Sequence, residues 1–87
     1  MIYADDNVPV SREYILNTFR NRCVLCGHPA YAVHEIIPKS QDPVGWRKFG
    51  NRVPLCTACH LNVHADGASM WENRLRERRT YYLELFR

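Results

Sequence analysis

Apolar residues recur along this 87-residue chain with two different spacings, which together predict three helices and two short strands. Near the N-terminus, Tyr14, Ile15 and Phe19 form an apolar stripe at helical spacing. Ser11 precedes the stripe, and serine is a residue type that caps helices. The pattern therefore predicts a first helix from 11 to about 21.

The middle of the chain has the composition of two strands. Residues 31–37 are rich in β-branched and aromatic side chains, and Pro38 ends the run. Residues 39–50 are expected to form a loop. A second strand is predicted over 51–55, where Pro54 indicates an edge or exposed position because proline cannot donate to a sheet.

Two further helices complete the predicted order. The first covers 57–66 and stops at Gly67, which suits a left-handed cap. The second covers 69–86, where Ser69 and Glu72 have the spacing of a capping box. Its apolar face recurs at near-helical spacing and comprises Trp71, Leu75, Tyr82 and Phe86.

A single domain of this length has a marginal core, because such chains bury only about 60–65% of their unfolded surface. Its four cysteines form two Cys-x2-Cys pairs, Cys23 with Cys26 and Cys56 with Cys59. Four thiolates at this spacing are typical of a structural zinc site. Two disulfides are the alternative, which the lack of an apolar secretory segment at the start of the chain disfavours.

Charge and hydropathy narrow the expected surroundings of the protein. The formal net charge of +3 permits nucleic-acid binding without requiring it. No apolar run approaches the roughly 20 residues of a transmembrane helix. We therefore expect a cytoplasmic protein that is not secreted and has no membrane partner.

The histidines suggest a second site beside the cysteines. His60 follows the last cysteine directly, and His64 lies four residues further on, so both imidazoles share one face of the predicted helix. The polar pair His34 and Glu35 interrupts an otherwise apolar strand and requires partners or an edge position. If the cysteines hold one metal, the histidines are free for another.

Three segments together resemble the HNH endonuclease family. They are Cys23-x-x-Cys26, the run Val-His-Glu-Ile-Ile-Pro at 33–38, and Asn-x-Val-x-Leu-Cys-x-x-Cys-His-x-x-x-His at 51–64. The resemblance covers 23–67, about half of the chain. It implies an α+β fold, a small zinc-stapled ββα-metal (HNH, His-Me finger) module within one domain, 1–87, flanked by the N- and C-terminal helices.

The resemblance also implies roles for individual residues. His34 and His60 match positions that bind a divalent metal, and His64 matches a position that sometimes adds a third ligand. Asn51 matches an asparagine that ties down the loop and so orients the general base. The metal would polarise the scissile phosphate and stabilise the leaving oxygen.

One position departs from the family pattern. The family most often has His-His or Asp-His before Ile-Ile-Pro, with the second residue as general base, whereas this chain has Glu35 there. Either Glu35 is the base and His34 a ligand, or Glu35 leans to the metal and His34 accepts the proton. Adjacent strand residues face opposite sides unless a bulge re-aims one, so the sequence leaves both open. The family register favours the first.

The resulting expectation is a metal-dependent endodeoxyribonuclease like the small nucleases of phages and bacteria, which nicks DNA with little sequence specificity. Its cofactors would be a structural Zn²⁺ and a catalytic Mg²⁺, Mn²⁺, Ni²⁺ or Zn²⁺. Contacts to DNA phosphates, which position a duplex without reading its sequence, are expected from Lys39, Arg47, Lys48 and Arg52.

Two other interpretations remain open at this stage. The three histidines could be structural, or the domain could be a non-catalytic zinc-binding module that contacts DNA or protein, as a degenerate nuclease would. The sequence does not specify a protein partner or an oligomeric state.

Overall fold

A computed structural model describes residues 3–87, in which three α-helices surround a two-stranded antiparallel sheet. The chain is therefore a small α+β protein, with a Cα radius of gyration of 11.8 Å. A short 3₁₀ turn, Phe49–Asn51, precedes the second strand. The elements in chain order are α1 (Arg12–Thr18), β1 (Ala32–Glu35), β2 (Arg52–Leu55), α2 (Thr57–Asp66) and α3 (Ala68–Leu85).

The first helix begins as the sequence predicts and ends early. The Ser11 hydroxyl accepts a hydrogen bond from the Tyr14 N–H at 3.0 Å. The helix stops at Thr18, because Arg20 and Asn21 adopt positive φ angles of 55° and 56°. The prediction of helix to about 21 was therefore wrong, and this left-handed turn instead directs the chain into the first cysteine pair.

The sheet is shorter than predicted, and its register positions the candidate site. β1 lacks the outer residues of the 31–37 run, and Asn51 lies in the 3₁₀ turn before β2. In the antiparallel pairing His34 lies opposite Val53, and Glu35 lies opposite Arg52. Two side chains opposite each other in this way share one face of the sheet.

Within residues 3–87, β2 pairs with β1 alone, so Pro54 lies in an edge strand, where its missing N–H is tolerated. Its side chain is fully buried, so the edge alternative of the prediction holds and the exposed alternative does not. The Pro54 carbonyl accepts a hydrogen bond from the Val24 N–H at 3.2 Å, which joins β2 to the first cysteine turn.

The last two helices are separated by Gly67 alone, which has a φ of 92°. This confirms the predicted end of α2. α3 begins at Ala68 without a side-chain cap, so the predicted capping box was wrong: Ser69 already lies in the first turn, and Glu72 pairs with Arg76 at 3.4 Å.

One hydrophobic core joins the sheet to the helices. Leu75, Tyr82 and Phe86 contribute the buried face of the C-terminal segment, and Trp71 packs against it half-buried, as predicted. The largest fully buried side chains in this core include Phe19, Phe49, Ile15, Ile36, Leu55 and Leu75.

Candidate functional site

The four cysteines lie together at one end of the sheet. Their sulfur atoms all lie within 4.8 Å of one another, and the Sγ atoms of Cys26 and Cys56 are 3.5 Å apart. A tetrahedral zinc ion with bonds of about 2.3 Å would hold its sulfurs about 3.8 Å apart. All four cysteines are free thiols rather than disulfides. The cluster could therefore hold a structural metal such as zinc.

The electrostatics of the cluster also suit a cation. The Cys59 backbone N–H lies 3.4 Å from the Cys56 sulfur and lowers the pKa of that thiol to about 7. Burial raises the pKa of Cys59 and of Cys26 above the ordinary value. Deprotonating four thiols packed this closely would bring several negative charges together. A bound divalent metal would compensate those charges and so favour the thiolate form.

A second cluster brings together the strand histidine and both helix histidines. His34 comes from β1, and His60 and His64 come from α2. One ring nitrogen from each lies within 4.8 Å of the others, and the two helix Nε2 atoms are 3.0 Å apart. The His34 ring centroid lies 5.4 Å from that of His60 and 5.7 Å from that of His64.

The chemistry of His34 fits a metal ligand. The residue is buried, and its Nε2 has no hydrogen-bond partner among the residues that the structure describes. Leaving such a nitrogen unpaired is costly, so a ligand at this position would remove the penalty. Burial, with a smaller effect from His60 and His64, lowers the pKa of His34 to about 4. The imidazole is therefore neutral near pH 7, which is the form that binds metals.

A cavity of about 410 Å³ opens beside the three histidines. Glu35 and Lys39 contribute its charged side chains, and Ala68 at the start of α3 lines another part of its wall. The cavity combines metal-binding nitrogens with one carboxylate and one ammonium group. Such a combination can bind a cation together with an anionic ligand.

Glu35 lines this cavity but is not a member of the histidine cluster. Its Oε2 atom lies 4.0 Å from the Nε atom of Arg52, and 27% of the Glu35 side chain is exposed. The carboxylate therefore lies between a buried guanidinium group and the open cavity.

Asn51 fastens the loop that follows β1. Its Oδ1 accepts a hydrogen bond from the Ile37 N–H at 2.7 Å, and its Nδ2 donates to the Ile37 carbonyl at 2.9 Å and the Trp46 carbonyl at 3.1 Å. The side chain is buried. These three bonds connect the start and the far end of the loop to the residue just before β2.

Three of the four cationic residues expected to contact phosphate lie within this loop. Lys39 and Arg47 are exposed and lie over the Trp46 ring at 5.3 and 4.7 Å from its centroid, and Lys48 is half-buried. Arg52 differs from them, because it is only 7% exposed and donates from Nη1 to the Val10 carbonyl at 2.9 Å. Its predicted phosphate contact does not fit this burial.

Sequence reasoning missed the contact between Arg52 and Glu35. The signal was present in the alternation of side chains along two predicted strands. Alternation identifies this contact only when the register of the two strands is known, because a shift of one residue would place Arg52 on the other face of the sheet.

This chain is similar in sequence to a short part of one much longer known protein. No family model matches the chain, and no solved structure matches it. The chain is 35% identical over 77 residues to a mitochondrial DNA mismatch repair protein mutS homolog from Sarcophyton glaucum. The match covers 82% of this chain but only 8% of that protein.

Residues 3–87 contain three α-helices. None of these helices has the length and apolar character required to cross a bilayer.

Proposed function

We propose that this protein is a metal-dependent endonuclease of the HNH type that hydrolyses phosphodiester bonds in DNA. The observation that carries the proposal is the convergence of His34, His60 and His64 beside a cavity that also contains Glu35. A strand and a helix that are distant in sequence supply three imidazole nitrogen donors to one place. If the histidines were only structural, we would expect the buried Nε2 of His34 to have a hydrogen-bond partner. It has none among residues 3–87.

In this proposal the three histidines hold the catalytic ion through their ring nitrogens. When bound, a divalent ion supplies polarisation of a phosphoryl oxygen and stabilisation of the leaving oxygen. Glu35 acts as the general base and accepts the proton of the attacking water from its position on the cavity wall. Such positioned proton transfer contributes about 10²–10⁴-fold to a rate.

The assignment of the base to Glu35 rests on the difference in surroundings between two neighbours. His34 faces the other histidines, whereas Glu35 faces Arg52 and the cavity. An imidazole that binds the ion cannot at the same time accept a proton through the same nitrogen. In the alternative, in which His34 is the base, its Nε2 would accept the proton and only His60 and His64 would remain to hold the ion.

The remaining features support binding and shape. The Cys₄ cluster would hold a structural zinc that fastens the start of α2, and Asn51 would keep the loop after β1 in place. Lys39, Arg47 and Lys48 would contact backbone phosphates, which gives affinity without sequence reading. The similarity to a protein named for DNA mismatch repair agrees with a DNA substrate.

A plasmid-nicking assay tests the proposal. The zinc-loaded protein is incubated with supercoiled plasmid in Mg²⁺, Mn²⁺, Ni²⁺ or Zn²⁺, with a chelator control and with the His60→Ala variant. We expect at least one ion to support nicking, which the chelator and the substitution both abolish. Plasmid that shifts in a gel without being cut under any ion would contradict the nuclease and favour a binding module.

A further inference from the structure

The side chain of Arg52 has two contacts besides Glu35, the Val10 carbonyl and the Trp46 ring. Its Nη1 donates to the Val10 carbonyl at 2.9 Å, and its guanidinium carbon lies 5.6 Å from the centroid of the Trp46 ring. Trp46 is itself tethered, since its carbonyl accepts a hydrogen bond from Asn51. The backbone pairing of β1 with β2 sets Glu35 directly opposite Arg52.

One buried donor of this guanidinium group, its Nε–H, lies near the Glu35 carboxylate. The Nε atom of Arg52 is buried, has no hydrogen-bond partner within residues 3–87, and lies 4.0 Å from Oε2 of Glu35. That distance is about 1 Å longer than an N–H···O hydrogen bond. A Glu35 side-chain position about 1 Å closer would give this buried donor a partner, and the second carboxylate oxygen would stay available to the cavity.

We infer that Arg52 is a positioning residue that orients the Glu35 carboxylate toward the reacting water in the histidine cavity. This inference rests on the proposed nuclease function and adds a residue to it. Arg52 does not contact DNA, because it is 7% exposed. It acts through Glu35 by binding one carboxylate oxygen, which leaves the other oxygen directed to the cavity.

The charge of Arg52 together with the planar shape of its guanidinium group makes the arrangement specific to arginine. A buried cation requires a carboxylate partner, and Glu35 is the one that lies within 4.0 Å among the described residues. The planar guanidinium group donates in fixed directions and can serve Val10 and Glu35 together. The single ammonium group of a lysine at this position could reach only one of them.

The experiment measures single-turnover cleavage of plasmid at saturating metal and DNA for Arg52→Gln, Arg52→Lys, Glu35→Gln and the two double variants. We expect Arg52→Gln to slow cleavage about 10–100-fold, since a misplacement of about 1 Å can cost 10²-fold. Arg52→Lys should fall between this variant and the wild type. Metal affinity of the histidine site should stay within about twofold, because Arg52 forms no hydrogen bond or ion pair with a histidine among residues 3–87.

The double variants give the decisive comparison. If Arg52 acts through Glu35, adding Arg52→Gln to Glu35→Gln should slow cleavage by less than about threefold further, because the two changes disable one device. If the two effects multiply, the inference is wrong even though the wild type cleaves. If Arg52→Gln fails to fold in a melting experiment, Arg52→Lys and its double variant supply the same comparison.

Arg79→Gln is the matched control. Arg79 is also a buried arginine, lies over the Phe49 ring at 4.7 Å, pairs with Asp6 at 2.8 Å and has an unpaired Nε, but it does not line the histidine cavity. Its substitution should lower the melting temperature and leave the cleavage rate unchanged well below that temperature. An equal slowing by Arg79→Gln would overturn the inference. A wild type inactive with every ion would remove the proposed function and this inference together.

Discussion

His34 and Glu35 are consecutive residues of β1 with different partners. His34 is buried against two other histidines, and Glu35 is partly exposed between Arg52 and the cavity. The difference follows from side-chain alternation along a strand, which directs neighbours to opposite faces. Both side chains nevertheless line the same cavity, where we propose His34 as a metal ligand and Glu35 as the proton acceptor.

Glu35→Gln tests the assignment of the base. The amide keeps the size of the side chain but cannot accept a proton, so cleavage should slow by about 10²–10⁴-fold. Metal affinity, measured by calorimetry at the histidine site, should change little because His34 retains its place. If excess Mn²⁺ restores the full rate of this variant, the proton acceptor is another group, with His34 the next candidate.

His60→Ala tests the histidine cluster. If the three histidines hold the proposed ion, removing one of them should weaken metal binding by at least about 100-fold, because loss of even an outer-shell partner costs 10–100-fold. The zinc in the cysteine cluster and the circular dichroism spectrum should be unchanged. Asn62→Ala, an exposed substitution on the same helix, serves as control. Unfolding of the His60 variant would instead assign this histidine to the structural site.

At the scale of secondary-structure elements, the loop between β1 and β2 depends on one side chain. Asn51 makes three hydrogen bonds from a buried position just before β2. The loop carries Lys39, Arg47 and Lys48, so its shape determines where these cations lie relative to the histidines. An amide suits this position because it donates and accepts at once.

Asn51→Ala should therefore affect both stability and cleavage. We expect a loss of about 2–4 kcal/mol in the free energy of unfolding, because one buried N–H and two carbonyls lose their partner. Cleavage should fall at temperatures where the variant is still folded. Urea denaturation gives the first quantity, with Asn62→Ala as an exposed asparagine control. A variant as stable as the wild type would show that the loop holds its shape by other contacts.

At the scale of the whole molecule, the fold combines a small core with the cysteine cluster. The cluster links the turn after α1 to the start of α2, two segments separated by the whole sheet and loop. A metal bound by the four cysteines would cross-link these two segments and so hold together the parts of the chain on either side of the sheet. Structural zinc contributes its binding free energy to folding, which is about 10–16 kcal/mol in finger peptides.

Cys56→Ser should consequently destabilise the entire protein. Loss of one thiolate ligand should release the zinc and lower the melting temperature by about 10 °C or more, since 1 kcal/mol corresponds to about 4–8 °C in a domain of this size. Metal analysis of the reduced wild type should find about one tightly held zinc. Thr57→Ala, the neighbouring exposed position, is the control. A reduced wild type that remains folded without zinc would contradict the structural assignment.

The sequence by itself determined the elements and the composition of both clusters. Cys-x2-Cys spacing and the i, i+4 histidines depend only on local chain geometry, so α2, with its predicted bounds of 57–66, and the grouping of the cysteines are confirmed. Local signals were weaker where long-range packing competes. The sequence patterns did not predict the early end of α1, the burial of Pro54 or the absence of a capping box at Ser69.

Only the tertiary structure decided how the parts of the candidate site face one another. The approach of His34 to the helix histidines, and the pairing of Glu35 with Arg52, depend on a strand register that a shift of one residue would reverse. Burial likewise separated Arg52 from the exposed cations of the loop, although all four have the same charge in the sequence. Side-chain type is local information, whereas the partner and solvent exposure of a side chain are properties of the packed molecule.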